Sequence, residues 1–265
     1  MALNDKGITM YVDQLKKFLD SHRPLSEITV RSLFNDFALR YNHESNRIEG
    51  NNLTLVETRV FLEQGVTVKG KPFKDFLDVN NHRLAIDYMM DLIDKKEPLS
   101  EGYIKKFNAI LLKSTKDDQY AGVYRHIPIT IAGSPHTPPQ PYLIVPKMEE
   151  LINSYHTDIG HPIEKIAKFH AKFEAIHPFI EGNGRTGRLI MNTELMKHGY
   201  PMAIIKSDEQ DTYYEALIAA DNGDYSLIIN LITEEVENSI KQTLSVIDPE
   251  WPIKFEHYFS NEKER

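Results

Sequence analysis

Residues 177–188 read His-Pro-Phe-Ile-Glu-Gly-Asn-Gly-Arg-Thr-Gly-Arg. This short segment combines a titratable imidazole, a carboxylate, glycines on both sides of an amide side chain, and two arginines. Folding alone does not require so many polar groups in one short segment, whereas the binding of a polyphosphate together with a metal ion does. Binding such a ligand requires backbone N–H donors, positive charge and an anionic metal ligand close together. The segment therefore predicts a site for a phosphate-bearing ligand.

The order of the residues predicts the end of one helix, a loop and the start of another helix. A helix that ends near Ile176 presents His177 at its carboxyl end, and Pro178 blocks its continuation. Gly182 and Gly184 permit backbone torsions in which several amides face one point. A helix that begins near Gly184 adds unpaired N–H groups and a positive partial charge. We therefore expect an anion-binding loop here.

The side chains add the remaining parts of a transfer site. Arg185 and Arg188 can each hold phosphate oxygens in a bidentate manner. Glu181 fits beside phosphates when a cation lies between them, and Mg2+ usually takes only one or two carboxylates besides phosphate oxygens and water. His177 is the nearby group suited to accept a proton at neutral pH. These residue types indicate phosphoryl or nucleotidyl transfer to a hydroxyl group.

Other kinds of site fit the segment less well. It is not a Walker A loop, because it lacks the Gly-Lys-Ser/Thr ending and follows a helix, not a strand. It is not a metal cluster either, since His170 and His177 share a helix face but lie too far apart to bind one ion. A Gly-Asn-Gly turn alone is a common loop, and a histidine at a helix end is usually a cap. Two arginines and Glu181 in the same segment favour a functional site.

The spacing of apolar residues predicts the fold class. Apolar side chains recur every three or four residues along most of the chain, which is typical of helices, and we expect an all-α fold. Thr54 and Glu57 have the spacing of a capping box that opens one of these helices, and Gly65 is expected to close it.

Residues 124–145 interrupt this helical pattern. Ile127, Ile129 and Ile131 alternate with other residues, as in a strand, and a proline-rich stretch follows. Tyr142–Val145 reads as the returning strand. We predict a β-hairpin, which is either a decorative insertion or a flap that packs over the site.

The chain resembles the Fic-domain family. Its signature, His-Pro-Phe-x-(Asp/Glu)-Gly-Asn-Gly-Arg-x-x-Arg, is similar to residues 177–188 at every defined position. The likeness continues in Tyr124-Arg125, Pro138-Pro139, Met191-Asn192, Gly199-Tyr200-Pro201 and Tyr213-Tyr214, and covers residues 40 to 240 or so. The resemblance implies a Fic-type helical domain with a β-hairpin flap over the active site. It also implies transfer of AMP from ATP to a hydroxyl side chain of a target protein, with Mg2+.

The resemblance also implies roles for individual residues. His177 would deprotonate the target hydroxyl, Phe179 would anchor the loop in the core, and Glu181 would hold Mg2+. The flap near Ile131 to His136 would hold the target segment by strand addition. The implied nucleotide contacts are Glu181, Gly182, Asn183, Gly184, Arg185, Thr186, Gly187 and Arg188, with Tyr213, Tyr214 and Asp221 near the adenosine. Asp221 stands where the family often has Asn.

A second motif lies far upstream, at residues 45–50. Ser45 and Glu49 are four residues apart, so one helical turn places both on one face. By composition alone this is an ordinary polar turn, but it resembles the Fic inhibitory motif, Ser/Thr-x-x-x-Glu-Gly/Asn. The resemblance is to the class whose inhibitory helix is N-terminal in the same chain. We predict that Glu49 pairs with Arg188 and opposes productive binding of ATP.

The predicted organisation has three parts. Residues 1–40 form an N-terminal helical extension, residues 41–245 form the Fic domain, and residues 246–265 form a C-terminal tail. The Fic domain includes the inhibitory helix at about 41–50 and the flap at about 124–145. The expected partners are an unidentified target protein bound along the flap, the chain itself as a self-modification substrate, and a second copy in a homodimer.

Composition restricts the class of protein further. The 265 residues are 41% hydrophobic and carry a net charge of -8, which argues against a general nucleic-acid or membrane binder. The absence of cysteine excludes disulfides and thiolate chemistry. No signal peptide or membrane-spanning run is recognisable, so we expect a soluble cytoplasmic protein.

Other functions stay open at this point. The same fold could remove AMP with Glu49 as a base, or could use another donor of UMP, phosphocholine or phosphate. The intact Gly-Asn-Gly-Arg segment favours AMP transfer over these donors. A catalytically idle regulatory or binding module is the alternative from a different class, and intact His177 and Arg188 argue against it.

Overall fold

The computed structural model describes residues 5–131 and 134–263, and within these ranges every regular element is helical. The α-helices are α1 Asp5–Asp20, α2 Glu27–Ile48, α3 Leu55–Gln64, α4 Phe73–Asp94, α5 Glu101–Leu112, α6 Ile144–Thr157, α7 Pro162–Ile176, α8 Asn183–Lys197, α9 Gln210–Asp221, α10 Ser226–Ile247 and α11 Trp251–Lys263. Short 3-10 helices cover Asp118–Tyr120, Pro141–Leu143 and Ser207–Glu209. The predicted all-α class is confirmed. No helix in the described ranges is long and apolar enough to cross a membrane.

The helices α7 and α8 form the centre of the fold. They pack against each other, α7 also contacts α6, α9 and α10, and α8 also contacts α4 and α5. The loop between them therefore lies inside the protein, where its conformation is set by neighbours on several sides. One large apolar cluster joins all these helices, and α1 packs on α10 at its edge.

The predicted helix signals around α3 are present. The Thr54 N–H donates to Glu57 Oε2 at 2.8 Å, and the Glu57 N–H donates to Thr54 Oγ1 at 3.2 Å, which completes the capping box. Gly65 ends the helix with φ of 69°.

The predicted β-hairpin is not found in the described part of the flap. Residues 126–131 and 134–140 have no regular secondary structure, and the remaining tip, residues 132 and 133, lies outside the described residues. Tyr142–Val145 is helical instead, because this stretch contains the 3-10 helix Pro141–Leu143 and the start of α6. Three prolines, Pro138, Pro139 and Pro141, explain the error, since they have no N–H to donate to a strand ladder and Pro141 favours a helix start.

Two predicted boundaries look different in the structure. The division between residues 40 and 41 falls inside α2, so the predicted inhibitory helix is the last part of a longer helix. The predicted tail of residues 246–265 contains α11, where the Phe255 and Tyr258 rings lie 5.5 and 5.4 Å from the ring of Phe18 in α1. These edge-to-face contacts hold α11 against the body of the protein.

Phe179 anchors the loop between α7 and α8 in the core. Its side chain is fully buried and packs against the rings of Tyr124 and Phe173. We expect Phe179→Ala to lower the free energy of unfolding by about 3–5 kcal/mol, because it leaves a cavity among aromatic rings. Phe73→Ala, at a position that is 72% exposed, should change it by less than about 0.5 kcal/mol. Urea unfolding measures both, and equal losses would contradict the anchoring role.

Candidate active site

The loop between α7 and α8 is held by its own side chains and by α5. The Phe179 N–H donates to Asn183 Oδ1 and Asn183 Nδ2 donates to the Phe179 carbonyl, both at 2.9 Å. Gly182 has φ of 80°, a conformation that glycine adopts without strain, and it directs the chain into α8. Asn108 Nδ2 donates to the Glu181 carbonyl at 2.9 Å. The side-chain amide of Asn183 is thus committed to the loop backbone.

His177 is held in one tautomer. It follows the last residue of α7 in a left-handed conformation, with φ of 49°. Its Nδ1 lies 3.2 Å from the Glu174 carbonyl, which can only accept, so Nδ1 carries the proton. Nε2 is then the free acceptor of a half-buried ring that lines a cavity. Burial lowers the pKa of His177 to about 4, so the ring is neutral at physiological pH.

The cavity has a volume of about 430 Å3 and lies where the loop, α7, α8, α9, α2 and the flap meet. Of the residues predicted from sequence it is lined by His177, Glu181, Gly182, Asn183, Gly184, Arg188, Glu49, Tyr213, Tyr214 and Asp221. The amino-terminal end of α8 forms one wall, which provides N–H groups and a positive partial charge. Such a wall favours an anionic ligand.

Arg188 joins this wall to α2. Its Nη2 donates to Glu49 Oε1 at 2.7 Å and to the Ser45 carbonyl at 2.9 Å, and its Nε donates to Ser45 Oγ at 3.0 Å. The predicted contact of Glu49 with Arg188 is therefore present. Burial alone would raise the pKa of Glu49, but the charges of Arg188 and Arg185 outweigh it and hold this pKa below its usual value.

Gly184 explains how the carboxylate approaches so closely. A Cβ atom at this position would overlap Glu49 Oε1. A residue other than glycine would displace the carboxylate from the start of α8, so Gly184 is what allows Glu49 to approach this helix end.

Four of the sequence-predicted residues do not line the cavity. Arg185 lies behind it, 3% exposed, and its Nη1 donates to Asp78 Oδ1 at 3.1 Å. Thr186 and Ser45 are buried as well, and Gly187 packs against Glu174. Arg185 was predicted to hold phosphate oxygens. In the structure its charge is paired with Asp78 of α4, a helix that the signature does not include.

Another part of the cavity wall consists of aromatic and aliphatic side chains. The Tyr213 hydroxyl lies 2.8 Å from His170 Nε2 and its ring is 1% exposed, whereas Tyr214 is 41% exposed. Leu217, Ile218 and the flap residue Ile131 complete the wall next to Asp221. A flat apolar group with a polar edge fits this part of the cavity wall better than a charged group does.

The donor set for a metal is small. Glu181 presents a carboxylate to the cavity with 47% of its side chain exposed, 3.7 Å from Arg185. Within the described ranges no cluster of three or more histidine or acidic side chains could hold an ion by itself. This set fits Mg2+ that is bound mainly by phosphate oxygens and water, with Glu181 as the protein ligand.

Sequence reasoning missed Glu174, which lines the cavity one turn before His177. It is 8% exposed, its Oε1 has no hydrogen-bond partner, and burial raises its pKa to about 8 although Arg188 opposes the shift. Glu174 therefore carries its proton at neutral pH. The sequence offered one signal for Glu174, which is its position among the apolar residues of α7. Burial of a glutamate is unfavourable, so a glutamate on a buried helix face indicates a specific role.

A protein-family model and the sequences of known proteins match this chain. The Fic/DOC family model matches residues 98–195. The proteins described as "Protein adenylyltransferase Fic" from Drosophila ananassae and Drosophila persimilis are each 34% identical, over 73% and 75% of this chain. The chain spans 39% of the length of each of these relatives.

Solved structures agree with the family match. A Fic-domain-containing signaling protein from Bacteroides thetaiotaomicron aligns with a TM-score of 0.81 and 26% identity, over 90% of this chain and 98% of that one. Fic-1 from C. elegans, residues 134–508, aligns with a TM-score of 0.83 and 25% identity, over 92% of this chain and 73% of that one. The chain is a Fic-domain protein.

The buried, protonated Glu174 should make the stability of the protein depend on pH. A folded state that keeps the Glu174 proton up to about pH 8, while the unfolded chain releases it near pH 4.5, loses stability as the pH rises between these values. The lowered pKa of His177 makes stability rise with pH, and this rise is complete above about pH 7. Between pH 7 and pH 8 we therefore expect stability to fall less steeply in Glu174→Gln than in the wild type.

Urea unfolding at pH 7.0, 7.5 and 8.0 measures this difference. The exposed residue Glu63 provides the matched control, because Glu63→Gln should keep the wild-type slope. Parallel slopes for Glu174→Gln and the wild type would show that Glu174 is ionised throughout this range.

Proposed function

We propose that this chain is a protein adenylyltransferase, which transfers AMP from ATP to a hydroxyl side chain of another protein. The observation that carries the proposal is the neutral His177, with its Nδ1 proton engaged by the Glu174 carbonyl and its Nε2 free at a cavity whose wall is a helix amino terminus. The names of the Drosophila relatives support the same reaction.

The reaction divides into three tasks for the residues of the site. The target hydroxyl oxygen attacks the α-phosphorus, the bond from that phosphorus to the pyrophosphate oxygen breaks, and pyrophosphate leaves. His177 Nε2 takes the proton of the hydroxyl as the new P–O bond forms. The N–H groups at the start of α8, in Gly184 and its neighbours, stabilise the negative charge that develops on the phosphate oxygens. Mg2+ held by Glu181 would neutralise the departing pyrophosphate.

Two groups of cavity residues orient the nucleotide in this proposal. Its phosphates lie at the start of α8, with Arg188 as the cation for the distal phosphate. Its adenosine occupies the wall of Tyr213, Tyr214 and Asp221. The target segment lies along the flap, beside His177, as strand addition to residues 126–131 would place it.

The pair of Glu49 and Arg188 acts as a brake in this proposal. Arg188 is 2% exposed and already bound to Ser45 and Glu49, so the distal phosphate finds its cation occupied and a carboxylate in its place. ATP then binds weakly or with its α-phosphate displaced from His177. A displacement of about 1 Å lowers a rate on the order of a hundredfold.

Glu49→Gly tests the brake and the reaction together. We expect about tenfold to hundredfold faster labelling of the chain itself or of proteins in a lysate from ATP labelled at the α-phosphate, in the presence of Mg2+. His177→Ala in the same background should abolish it. Label from the γ-phosphate alone would replace adenylyl transfer by a kinase reaction, and nucleotide binding without any label would favour a binding module.

Arg47→Gly is the matched control for the helix. Arg47 is exposed on the same last turn of α2, so this change adds the same backbone freedom without touching Arg188. Its rate should equal that of the wild type. Activation by Arg47→Gly as large as that by Glu49→Gly would mean that loosening α2, and not removal of the carboxylate, releases the activity.

A further inference from the structure

The carboxyl end of α7 carries His177, and the partners of its backbone carbonyls can be accounted for one by one. A helix leaves its last four carbonyls without helical partners. His177 itself satisfies two of them, because its N–H donates to the Phe173 carbonyl at 3.0 Å and its Nδ1 donates to the Glu174 carbonyl at 3.2 Å. The position of the imidazole ring therefore depends on the shape of this helix end.

The flap satisfies the carbonyls that follow. His136 Nε2 lies 3.0 Å from the Ala175 carbonyl, and Arg125 Nη2 donates to the Ile176 carbonyl at 3.4 Å. Arg125 Nε donates to the His177 carbonyl at 2.8 Å, and the Arg125 N–H donates to the Pro178 carbonyl at 2.9 Å. The carbonyls of four consecutive residues at this helix end are thus bound by two residues of the flap.

The same guanidinium binds both arms of the flap. Arg125 Nη1 donates to the Ile127 carbonyl at 3.0 Å, and Nη2 donates to the Pro139 carbonyl at 2.7 Å. The two arms are therefore joined through one side chain, which is 2% exposed, where a hairpin would join them by a strand ladder. A rigid planar fork with five N–H donors can make all these bonds at once, whereas a lysine ammonium cannot.

We infer that Arg125 is a positioning residue that couples the flap to His177. A target segment seated along residues 126–131 fixes the Ile127 carbonyl, the guanidinium bound to it, and through Arg125 Nε the backbone of His177. Arg125 is not among the residues that line the cavity, so it acts through the carbonyls that it binds. The inference rests on the proposed function for its effect on rate, while the coupling itself is a property of the fold.

Arg125→Lys in the Glu49→Gly background tests the coupling with three measurements. We expect kcat for labelling from ATP to fall about tenfold or more, with the KM for ATP changed less than about threefold. Amide hydrogen exchange should accelerate in residues 126–131 and 134–140 and at His177 and Phe179. The 15N shifts of the His177 ring should move towards the average of the two tautomers. The control Arg40→Lys should change none of these, because Arg40 is a partly exposed arginine that bonds Asp36 and Gln242, away from the flap.

The outcomes separate the coupling from the enzyme activity. Faster exchange in the flap with unchanged His177 shifts and unchanged kcat would overturn the inference, because Arg125 would then only fasten the flap. Unchanged exchange and unchanged shifts would overturn it as well. If the Glu49→Gly parent transfers no AMP, the proposed function fails, and exchange and ring shifts still decide the coupling.

His136→Ala provides a second, milder test, which decides the question if Arg125→Lys does not fold. It removes the donor to the Ala175 carbonyl and the 3.8 Å contact of His136 Nδ1 with Asp221 Oδ2, and it leaves the Arg125 side chain intact, so the KM for ATP is measured together with kcat. We expect faster exchange in residues 134–140, together with a fall in kcat that is smaller than that of Arg125→Lys. His136→Gln keeps an N–H donor of similar reach and should restore part of both. A change in flap exchange without a change in kcat contradicts the coupling.

Discussion

A guanidinium that is almost completely out of water must have an anion beside it, and Arg188 imposes this constraint on the whole site. In the structure the anion is Glu49, and Ser45 accepts from Arg188 Nε with its hydroxyl and from Nη2 with its carbonyl. These bonds fix the last turn of α2 against the start of α8, although the residues are far apart in sequence. Release of Glu49 without a replacement would leave a buried charge unpaired. A phosphate is the replacement that the rest of the cavity is suited to accept, so the proposed inhibition and ligand binding would use the same charge.

Much of this arrangement is readable from the sequence, because it is encoded locally. The spacing of apolar residues predicts the helices, and Pro178 and Gly182 predict where α7 ends and α8 begins. Ser45 and Glu49 share a helix face whatever the fold is. Spacing alone could not identify the partner of Glu49. The match of residues 177–188 to a known signature points to Arg188 as that partner.

What the sequence did not predict depends on contacts between distant segments. Asp78 pairs with Arg185 across 107 positions, and nothing near either residue indicates the other. Ile127, Ile129 and Ile131 have the alternation of a strand, but Pro138 and Pro139 leave no ladder for them to join. The arms are held instead by Arg125, whose partners are backbone carbonyls and therefore leave no pattern in the sequence. Whether Glu181 and Asp221 contact a nucleotide stays a prediction.

Two carboxyl groups lie near Arg188, and they differ in protonation because burial raises the pKa of Glu174 while the bonded guanidinium lowers the pKa of Glu49. Glu49 contacts the guanidinium directly and its pKa is lowered, whereas Glu174 is buried without such a bond, is repelled by Glu49, and has its pKa raised. A single guanidinium supports a single carboxylate in so little solvent. In the proposed reaction, phosphates that replace Glu49 would also take over its negative charge, so Glu174 would remain a neutral acid. Under the proposed function, the site would therefore exchange one anion for another without a second carboxylate competing for Arg188, as the proposed brake requires.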